Sequence, residues 1–352
     1  MRYDRLARSL MAGEEGPPAT GGSGLTVEAI VAVDSPREFR IHPRDRVVAF
    51  TAEAAGARQI FTLSLRGTGT PASQITASEK PVSHPQWSPD GRRLAFVRDD
   101  EIWIVEADGS RLTRVVAKPG GGRDPRWSPD GRRLAFLSRR RGWSQVWLVD
   151  APVPRRGRPQ RDPRPPQATP LTRPGFDVDG LSWSPDGARI AVTGQQAPDD
   201  LTTWQVAIVD VATGNSEIVA GARSHDTGAQ WPDGSIVYVS DADGWFQVIR
   251  RTADGRDRIV LTDGKREHGD PSGGYGHAPL PSPDGERVVH IEVHDGLIDL
   301  VVRSLGGDTP QKRGRGRGGR CRPVRRFRDR RELPARRPTG PARPNQDDGR
   351  TR

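Results

Sequence analysis

Short apolar runs recur along the chain, and each is followed by a charged or glycine-containing turn. Residues 94–97 (LAFV) precede the turn Arg-Asp-Asp-Glu and then residues 102–105 (IWIV). Residues 134–137 (LAFL) precede residues 146–149 (VWLV) in the same way. Runs of this length that are rich in Val, Ile, Phe and Trp are typical of strands rather than helices. The pattern therefore predicts a body built from antiparallel hairpins.

A turn motif repeats through the same region. Trp-Ser-Pro-Asp-Gly occurs three times, two copies that lack the Ser or the Trp follow, and a degenerate copy (IHPRDR) precedes them. The aspartates of the six copies are separated by 45, 40, 56, 47 and 51 residues, and they are Asp45, Asp90, Asp130, Asp186, Asp233 and Asp284. Pro presets φ for the first turn position, Asp hydrogen-bonds to its own backbone, and Gly accepts a left-handed φ. Each copy therefore predicts a tight hairpin turn.

Each repeat has room for four strands: a short strand before the turn, two hairpin strands, and a further outer strand such as residues 112–116. Four-stranded units at this spacing are typical of propeller blades. We predict an all-β protein, a β-propeller of six recognisable blades that begin near residues 38, 84, 124, 180, 228 and 277. The last blade is expected to be incomplete, because the large apolar residues after residue 311 are only Val324, Phe327 and Leu333.

The net charge of +10 is concentrated at the C-terminus. Residues 311–352 carry 15 Arg and one Lys against four acidic residues, a balance of +12 that leaves the first 310 residues at −2. We expect residues 1–24 to be a disordered lead-in, residues 25–310 to be the propeller, and residues 311–352 to be an Arg/Gly/Pro-rich disordered tail produced by a frameshift. The Arg-Gly segment at residues 313–320 keeps RNA binding open as one function, because such segments bind single strands electrostatically.

Cysteine content and hydropathy indicate the compartment. Cys321 is the single cysteine, which excludes an internal disulfide and favours a reducing, cytoplasmic location. No apolar stretch approaches the roughly 18 residues of a membrane helix, and the basic N-terminus lacks a secretory apolar core. We therefore expect no membrane association.

Several residues have the types needed for chemistry. His290, Glu292 and His294 alternate along one strand and share a face, which could hold zinc. Because a two-residue period produces such patterns readily, a polar stripe is the favoured interpretation. Residues 224–226 (SHD) place triad residue types consecutively, which predicts a polar loop rather than a catalytic centre. Residues 120–122 (GGG) lack the Lys-Ser/Thr of a phosphate-binding loop. We assign no catalytic, cofactor-binding or metal-binding residue, and we expect no cofactor.

Two tryptophans are candidate contacts for a peptide or a protein partner. Trp143 and Trp245 each lie next to a glycine in a predicted hairpin turn, away from the repeated motif. Large aromatic side chains at exposed turns are enriched at binding sites. The alternative is that both residues pack against the framework.

The repeats resemble those shared by TolB proteins and by the prolyl oligopeptidase family of serine peptidases, particularly its acylaminoacyl-peptidase and dipeptidyl-peptidase branches. The resemblance covers about residues 25–305 and includes the following segments: residues 25–28 (LTVE) leading to residues 35–36 (SP), residues 240–246 (SDADGWF), residues 261–264 (LTDG) and residues 267–269 (EHG). It implies a substrate-gating propeller that accompanies an α/β-hydrolase domain.

The chain departs from that family after the propeller. A Gly-x-Ser-x-Gly motif is absent, and no βαβ pattern follows residue 305. No catalytic residue of the family is therefore carried over, and the chain is expected to be inactive alone. The expected partners are peptide substrates or a hydrolase domain, with nucleic acid bound only non-specifically through the tail. A non-enzymatic, TolB-like propeller that binds proteins or peptides remains the alternative.

Overall fold

The structure is a computed structural model. It describes residues 36–66, 71–118, 121–140, 142–152, 166–196, 204–221, 224–252, 254, 256–262, 266–268, 278–282, 284–294, 297–306 and 311–317. The regular structure in these residues is β-strand throughout, arranged as six antiparallel sheets in a ring. The predicted all-β propeller is confirmed.

The first three blades follow one plan, with consecutive strands running from the inner to the outer edge of each sheet. Blade one comprises β1 (Arg37–Ile41), β2 (Val47–Ala54), β3 (Ala57–Ser64) and β4 (Ser73–Gln74); blade two comprises β5 (Val82–Trp87), β6 (Arg93–Arg98), β7 (Glu101–Glu106) and β8 (Thr113–Val116); blade three comprises β9 (Arg123–Trp127), β10 (Arg133–Arg140), β11 (Trp143–Asp150) and β12 (Thr169–Pro170).

The remaining blades repeat this plan, with one change in the sixth. Blade four comprises β13 (Asp177–Trp183), β14 (Arg189–Gln195), β15 (Gln205–Asp210) and β16 (Ser216–Ala220); blade five comprises β17 (Asp226–Gln230), β18 (Ser235–Ser240), β19 (Gln247–Thr252) and β20 (Arg258–Val260); blade six comprises β21 (Glu267–His268), β22 (Leu280–Pro281), β23 (Arg287–His294), β24 (Leu297–Ser304) and β25 (Gln311–Arg317). In blade six, β21 and β22 both pair with β23 and share the inner position. This blade therefore begins about ten residues earlier than the sequence predicted.

The hydrophobic core lies between the blades. Strands of successive blades contribute to shared clusters: Ala49 and Ile60 of blade one pack with Leu94 and Phe96 of blade two, and the pattern continues around to blades five and six. Central strands such as β6 and β18 are buried on both faces, because successive residues point to opposite faces and both faces of these sheets pack against neighbouring blades. Burial between sheets, rather than within one sheet, holds the blades together.

The repeated motif stabilises both the turn and the joint between blades. In blade two, the Ser88 hydroxyl donates to Asp90 Oδ1 at 2.6 Å, and Gly91 has φ of 75°. Three motif tryptophans donate the Nε1 hydrogen to an inner-strand carbonyl of the preceding blade at 3.1 Å: Trp87 to Arg40, Trp127 to Gln86, and Trp183 to Arg126. An arginine of the preceding blade also stacks on the next tryptophan: Arg93 on Trp127, Arg133 on Trp183, and Arg189 on Trp231.

The joint that precedes blade one differs. Ile41 stands where blades two to five carry the motif tryptophan, and it is 68% exposed, against 8% for Trp127. The tryptophan-type joint is therefore not formed at this position. His42, the next residue, contacts the following blade: its Nε2 lies 3.0 Å from the carbonyl oxygen of Gly91 in blade two.

The expectation that blade six lacks its outer strand is wrong. β25 pairs antiparallel with β24, from Leu297 opposite Arg317 to Val302 opposite Gln311. The prediction required apolar residues, but outer strands of this propeller carry exposed side chains, as in β4 and β20. An outer strand needs backbone donors and acceptors more than apolar side chains, so an Arg/Gly-rich segment can supply one.

The structure describes only part of the segments predicted for the two ends of the chain. Residues 1–35 and 318–352 lie outside the described residues, so the lead-in and most of the tail remain predictions, whereas residues 311–317 belong to blade six. Within the part of the chain that the structure describes, no helix is long and apolar enough to cross a membrane.

Candidate functional site

The inner strands of the first five blades share a bulge near the edge of the ring. The pairing register shifts within β1, β5, β9, β13 and β17 at matching positions. Glu38, His84 and Asp124 occupy three of these bulges with φ of 53°, 54° and 49°, and Gly228 occupies a fourth with φ of 67°. A non-glycine residue in the left-handed region costs about 1–3 kcal/mol, and such residues cluster at functional sites. The bulges therefore identify the inner edge as the candidate site.

The bulges of blades one and two are linked directly. The backbone N–H of His84 donates to Glu38 Oε1 at 3.0 Å, and the Thr51 hydroxyl donates to Glu38 Oε2 at 2.9 Å. The His84 ring also approaches the same carboxylate, with Nδ1 at 3.8 Å from Oε1. Glu38 thus bridges two blades that are separated by about 45 residues in the sequence.

Two arginines and an aspartate follow on the inner strands. Asp124 is 1% exposed, and its Oδ1 lies 2.9 Å from Arg126 Nη2 without the alignment of a hydrogen bond. Burial and the nearby positive charge of Arg126 lower the pKa of Arg40, and the charges of Asp124 and Glu38 oppose that shift. We call Glu38, Arg40, His84, Asp124 and Arg126 the inner-strand network.

Several buried polar atoms in and beside the inner-strand network have no hydrogen-bond partner. Both carboxylate oxygens of Asp124, the Nε of Arg126 and the Nε2 of Gln86 are buried and have no hydrogen-bond partner. Buried polar groups are normally paired, so each exception calls for a water, an ion or a ligand group. The N–H groups of Arg126 and Gln86 can donate to a ligand carboxylate or carbonyl, and the Asp124 oxygens can accept from a ligand N–H.

The two tryptophans predicted as contacts lie on one edge of the ring, where the central hairpins of the blades turn. Trp143 begins β11 and Trp245 precedes β19, and both are partly buried. The residue after each is anchored to the next blade: Ser144 N–H donates to Asp177 at 2.6 Å, and Phe246 N–H donates to Glu267 at 2.7 Å. We call this edge the hairpin rim. Whether either tryptophan contacts a ligand stays a prediction.

An aromatic cluster that the sequence did not predict lies on the hairpin rim. The ring of His225 lies 5.8 Å from that of Trp204 and 6.0 Å from that of Phe246, the neighbour of Trp245. Burial lowers the pKa of His225, so the ring favours its neutral form. These residues lie about twenty positions apart on blades four and five, so no local motif indicated that they meet.

The consecutive Ser-His-Asp segment does not form a triad. Ser224 and Ser240 hydrogen-bond to Asp226, whose pKa is raised by burial, while the His225 backbone N–H donates to Asp241 at 2.7 Å. The histidine ring faces aromatic side chains rather than lying between the serine and the aspartate, which a triad requires. In the triple-glycine segment, Gly122 N–H donates to the Asp100 carbonyl, as expected for a connection between blades.

The polar stripe of blade six divides into two parts. Burial lowers the pKa of His290 to about 4, its Nδ1 lies 3.0 Å from the Ile291 carbonyl, and its Nε2 accepts from Arg303 at 3.3 Å. Glu292 pairs with Arg266, and His294 Nε2 lies 3.0 Å from Oδ2 of Asp299 on the neighbouring strand. The three sequence-predicted residues share a face, but Asp299, not His290, stands beside the other two.

Comparisons with known proteins agree with this architecture. Residues 43–158 match the family described as TolB beta propeller domain, PD40. The Tol-Pal system protein TolB of Thioalkalivibrio sulfidiphilus is 35% identical over 80 residues, which cover 21% of this chain and 18% of that protein. The chain therefore carries TolB-like propeller repeats.

Two further relatives are peptidases. Dipeptidyl-peptidase 5 of Porphyromonas gingivalis is 24% identical over 365 residues, covering 86% of this chain but 52% of that protein. A puromycin-hydrolyzing peptidase of Mycobacterium tuberculosis has the same fold with a TM-score of 0.61 at 15% identity, and the match covers 82% of this chain and 47% of that one. The chain thus spans about half the length of these peptidases and resembles their propeller.

Proposed function

We propose that this TolB-like propeller is the substrate-gating part of a serine peptidase of the prolyl oligopeptidase family, in which an α/β-hydrolase domain would supply the nucleophile. The match to Dipeptidyl-peptidase 5 over 86% of the chain supports this proposal. No catalytic residue is assigned here, and the chain on its own is expected not to hydrolyse peptides.

The observation that carries the proposal is the inner-strand network. Arg40 and Arg126 bring two guanidinium groups to inner strands of different blades, close enough for each charge to affect the other. Guanidinium groups bind carboxylates in a bidentate manner. Asp124 lies 2.9 Å from Arg126 without forming a hydrogen bond, so a peptide carboxylate could compete with it for the Arg126 guanidinium. We infer that the network selects a peptide by its free carboxylate as the peptide enters the ring.

The aromatic residues of the hairpin rim extend this model. Trp143 and Trp245 would contact the peptide first, and the cluster of Trp204, His225 and Phe246 would pack against its apolar side chains. Aromatic side chains provide large contact areas at low conformational cost. Selection would then combine an apolar rim with a charged interior.

Binding of short peptides tests this function. We expect the full chain to bind a labelled tetrapeptide with a free C-terminus in calorimetry or fluorescence anisotropy. Arg126→Met should weaken binding about tenfold or more, since a charged hydrogen bond contributes about 1.5–3 kcal/mol. Arg256→Met, at an exposed arginine with 84% side-chain exposure, is the matched control. Equal affinity for the C-terminally amidated peptide, or an unchanged affinity of Arg126→Met, would contradict the model.

A second candidate function is a non-enzymatic propeller that binds proteins or peptides, which the TolB match over residues 43–158 favours. This alternative predicts that no hydrolase domain is needed for function. Binding of a folded protein partner that a free-carboxylate peptide cannot displace would support it over the gating model.

We propose a reducing, cytoplasmic location on the basis of the single Cys321. We assign any nucleic-acid binding to the Arg-rich residues 311–352, as a non-specific and salt-dependent interaction. Comparing RNA binding by the full chain and by a variant lacking residues 318–352 at two salt concentrations tests this assignment. The variant keeps only residues 311–317 of the segment and should lose most of the affinity and of the salt dependence.

A further inference from the structure

Three side chains of metal-ligand type meet on blade six, away from the inner-strand network. Glu292 on β23 lies directly opposite Asp299 on β24 in the strand register, and His294 is two residues further along β23. One ligand atom from each residue lies within 4.8 Å of the other two. The register and the two-residue period together bring a carboxylate pair and an imidazole to one point.

The distances suit a small cation. His294 Nε2 lies 3.0 Å from Asp299 Oδ2 and 3.8 Å from Glu292 Oε1. In a tetrahedral site with ligand bonds of about 2.1 Å, neighbouring ligand atoms are about 3.4 Å apart. These two distances lie on either side of this value, and the ligand atoms of Glu292 and Asp299 lie within 4.8 Å of each other. Shifts of up to roughly an ångström would therefore form the site, which side-chain rotations can supply.

Burial and charge also favour a cation. Glu292 is 3% exposed and Asp299 is 1% exposed, so two carboxylates face each other with little solvent. Like charges directly opposite each other on a strand pair are destabilising, and a bound cation would reduce this repulsion. Arg266 pairs with Glu292, but one carboxylate can accept several partners, so this ion pair is compatible with metal coordination.

The hydrogen bonds of His290 and His294 show which of the two histidines belongs to the proposed ligand set. His290 points to the same side of β23, but one ring nitrogen contacts the Ile291 carbonyl and the other accepts from Arg303. A neutral imidazole has one donor and one acceptor nitrogen, and both are used here. His294 instead directs its Nε2 at the two carboxylates. The structure therefore replaces the sequence-based trio with Glu292, His294 and Asp299.

We propose that Glu292, His294 and Asp299 bind a divalent transition-metal ion, with Zn²⁺ or Mn²⁺ as the ions that suit one imidazole and two carboxylates. Three protein ligands leave a fourth position for water, and His294, which is less buried than the carboxylates, marks the solvent side. No metal was predicted from the sequence, because a two-residue period in a strand produces such polar patterns readily; only the structure places Asp299 beside β23.

Metal binding by the untagged full chain tests the proposal. Zn²⁺ and Mn²⁺ are titrated separately in calorimetry after chelator treatment, with Ca²⁺ as the ion that prefers more oxygen ligands. We expect one transition-metal ion per chain and a higher midpoint of thermal unfolding with that ion. His294→Gln and Asp299→Asn should each weaken binding by at least about 10-fold to 100-fold, the loss that even outer-shell substitutions cause.

The control is His290→Gln, a substitution on the same strand and face at a residue outside the ligand set. It should retain the wild-type stoichiometry and affinity. Should Asp299→Asn fail to fold, Glu292→Gln and His294→Gln provide the same comparison, and the thermal shift of the wild-type chain needs no variant. The absence of one-to-one binding by the wild-type chain, or an equal loss of affinity in His290→Gln, would overturn the proposal.

Discussion

The joints between blades provide the sharpest test of how this propeller is held together. Trp127 lies between blades two and three: its indole N–H donates to the Gln86 carbonyl at 3.1 Å, and the Arg93 guanidinium lies 4.6 Å from its ring centroid. Arg93 also donates to the carbonyls of Gly131 and Pro152 across the same joint. Trp127→Ala removes the ring, the hydrogen bond and the stacking partner together.

The expected loss follows from these contacts. Replacing a buried Trp with Ala costs about 3–5 kcal/mol, and losing the hydrogen bond to the buried carbonyl adds about 1 kcal/mol. We therefore expect Trp127→Ala to lower the free energy of unfolding by about 4–6 kcal/mol, a large part of the roughly 5–15 kcal/mol typical of a domain. Trp127→Phe keeps most of the buried area and should cost about 1–2 kcal/mol.

Blade one supplies the matched control. Ile41 occupies the position of Trp127 in its own blade but is exposed, so Ile41→Ala should change the free energy of unfolding by less than about 0.5 kcal/mol. Urea unfolding followed by far-ultraviolet circular dichroism measures each variant without relying on tryptophan fluorescence. A loss below 1 kcal/mol for Trp127→Ala, or equal losses at the two positions, would refute the assigned role of the motif tryptophan.

Three further predictions concern turns and edges. Hydrogen bonds from the turn serines lower the pKa of aspartates in the Ser-Pro-Asp-Gly turns. The stability that these carboxylates contribute is therefore present above the unfolded pKa of 3.8 and is lost as the pH falls through the lower folded pKa. Asp130→Asn should reduce the dependence of the free energy of unfolding on pH in this acid range, measured by urea titration, and an unchanged dependence would contradict the prediction. Gly91→Ala should lower the midpoint of thermal unfolding more than Gly142→Ala does. Both glycines have positive φ, but only at Gly91 would the new methyl group collide with a neighbour, the His42 ring. Equal midpoints for the two variants would refute this prediction. Deleting residues 311–352 should accelerate hydrogen exchange in β24, and unchanged protection would show that β25 does not cover that edge.

Local chemistry made the blades predictable. The Pro-Asp-Gly turns and the apolar runs beside them are set by φ preferences and by side-chain periodicity over a few residues, so six repeats and their strands could be found without tertiary contacts. The position of the motif tryptophan was also visible. Its role at the joint was not, because its partners, such as the Gln86 carbonyl for Trp127, lie about 40 residues away.

The candidate site depended on tertiary structure. Glu38, His84 and Asp124 belong to three blades, and nothing in their sequence neighbourhoods indicated that they share equivalent bulges. Asp299 joins Glu292 only because β24 pairs with β23 in one register. A shift of one residue would turn every side chain of the strand to the opposite face.

The outer strand of blade six is an element that the sequence composition did not predict. Its Arg/Gly composition predicts disorder, since residues 311–317 have no apolar face to bury. The edge of β24 nevertheless offers backbone donors and acceptors to any extended segment, and this pairing is largely independent of side-chain type. The sequence by itself determined where the chain turns and which strand faces are apolar, whereas tertiary structure decided which polar groups meet and which segment completes the last sheet.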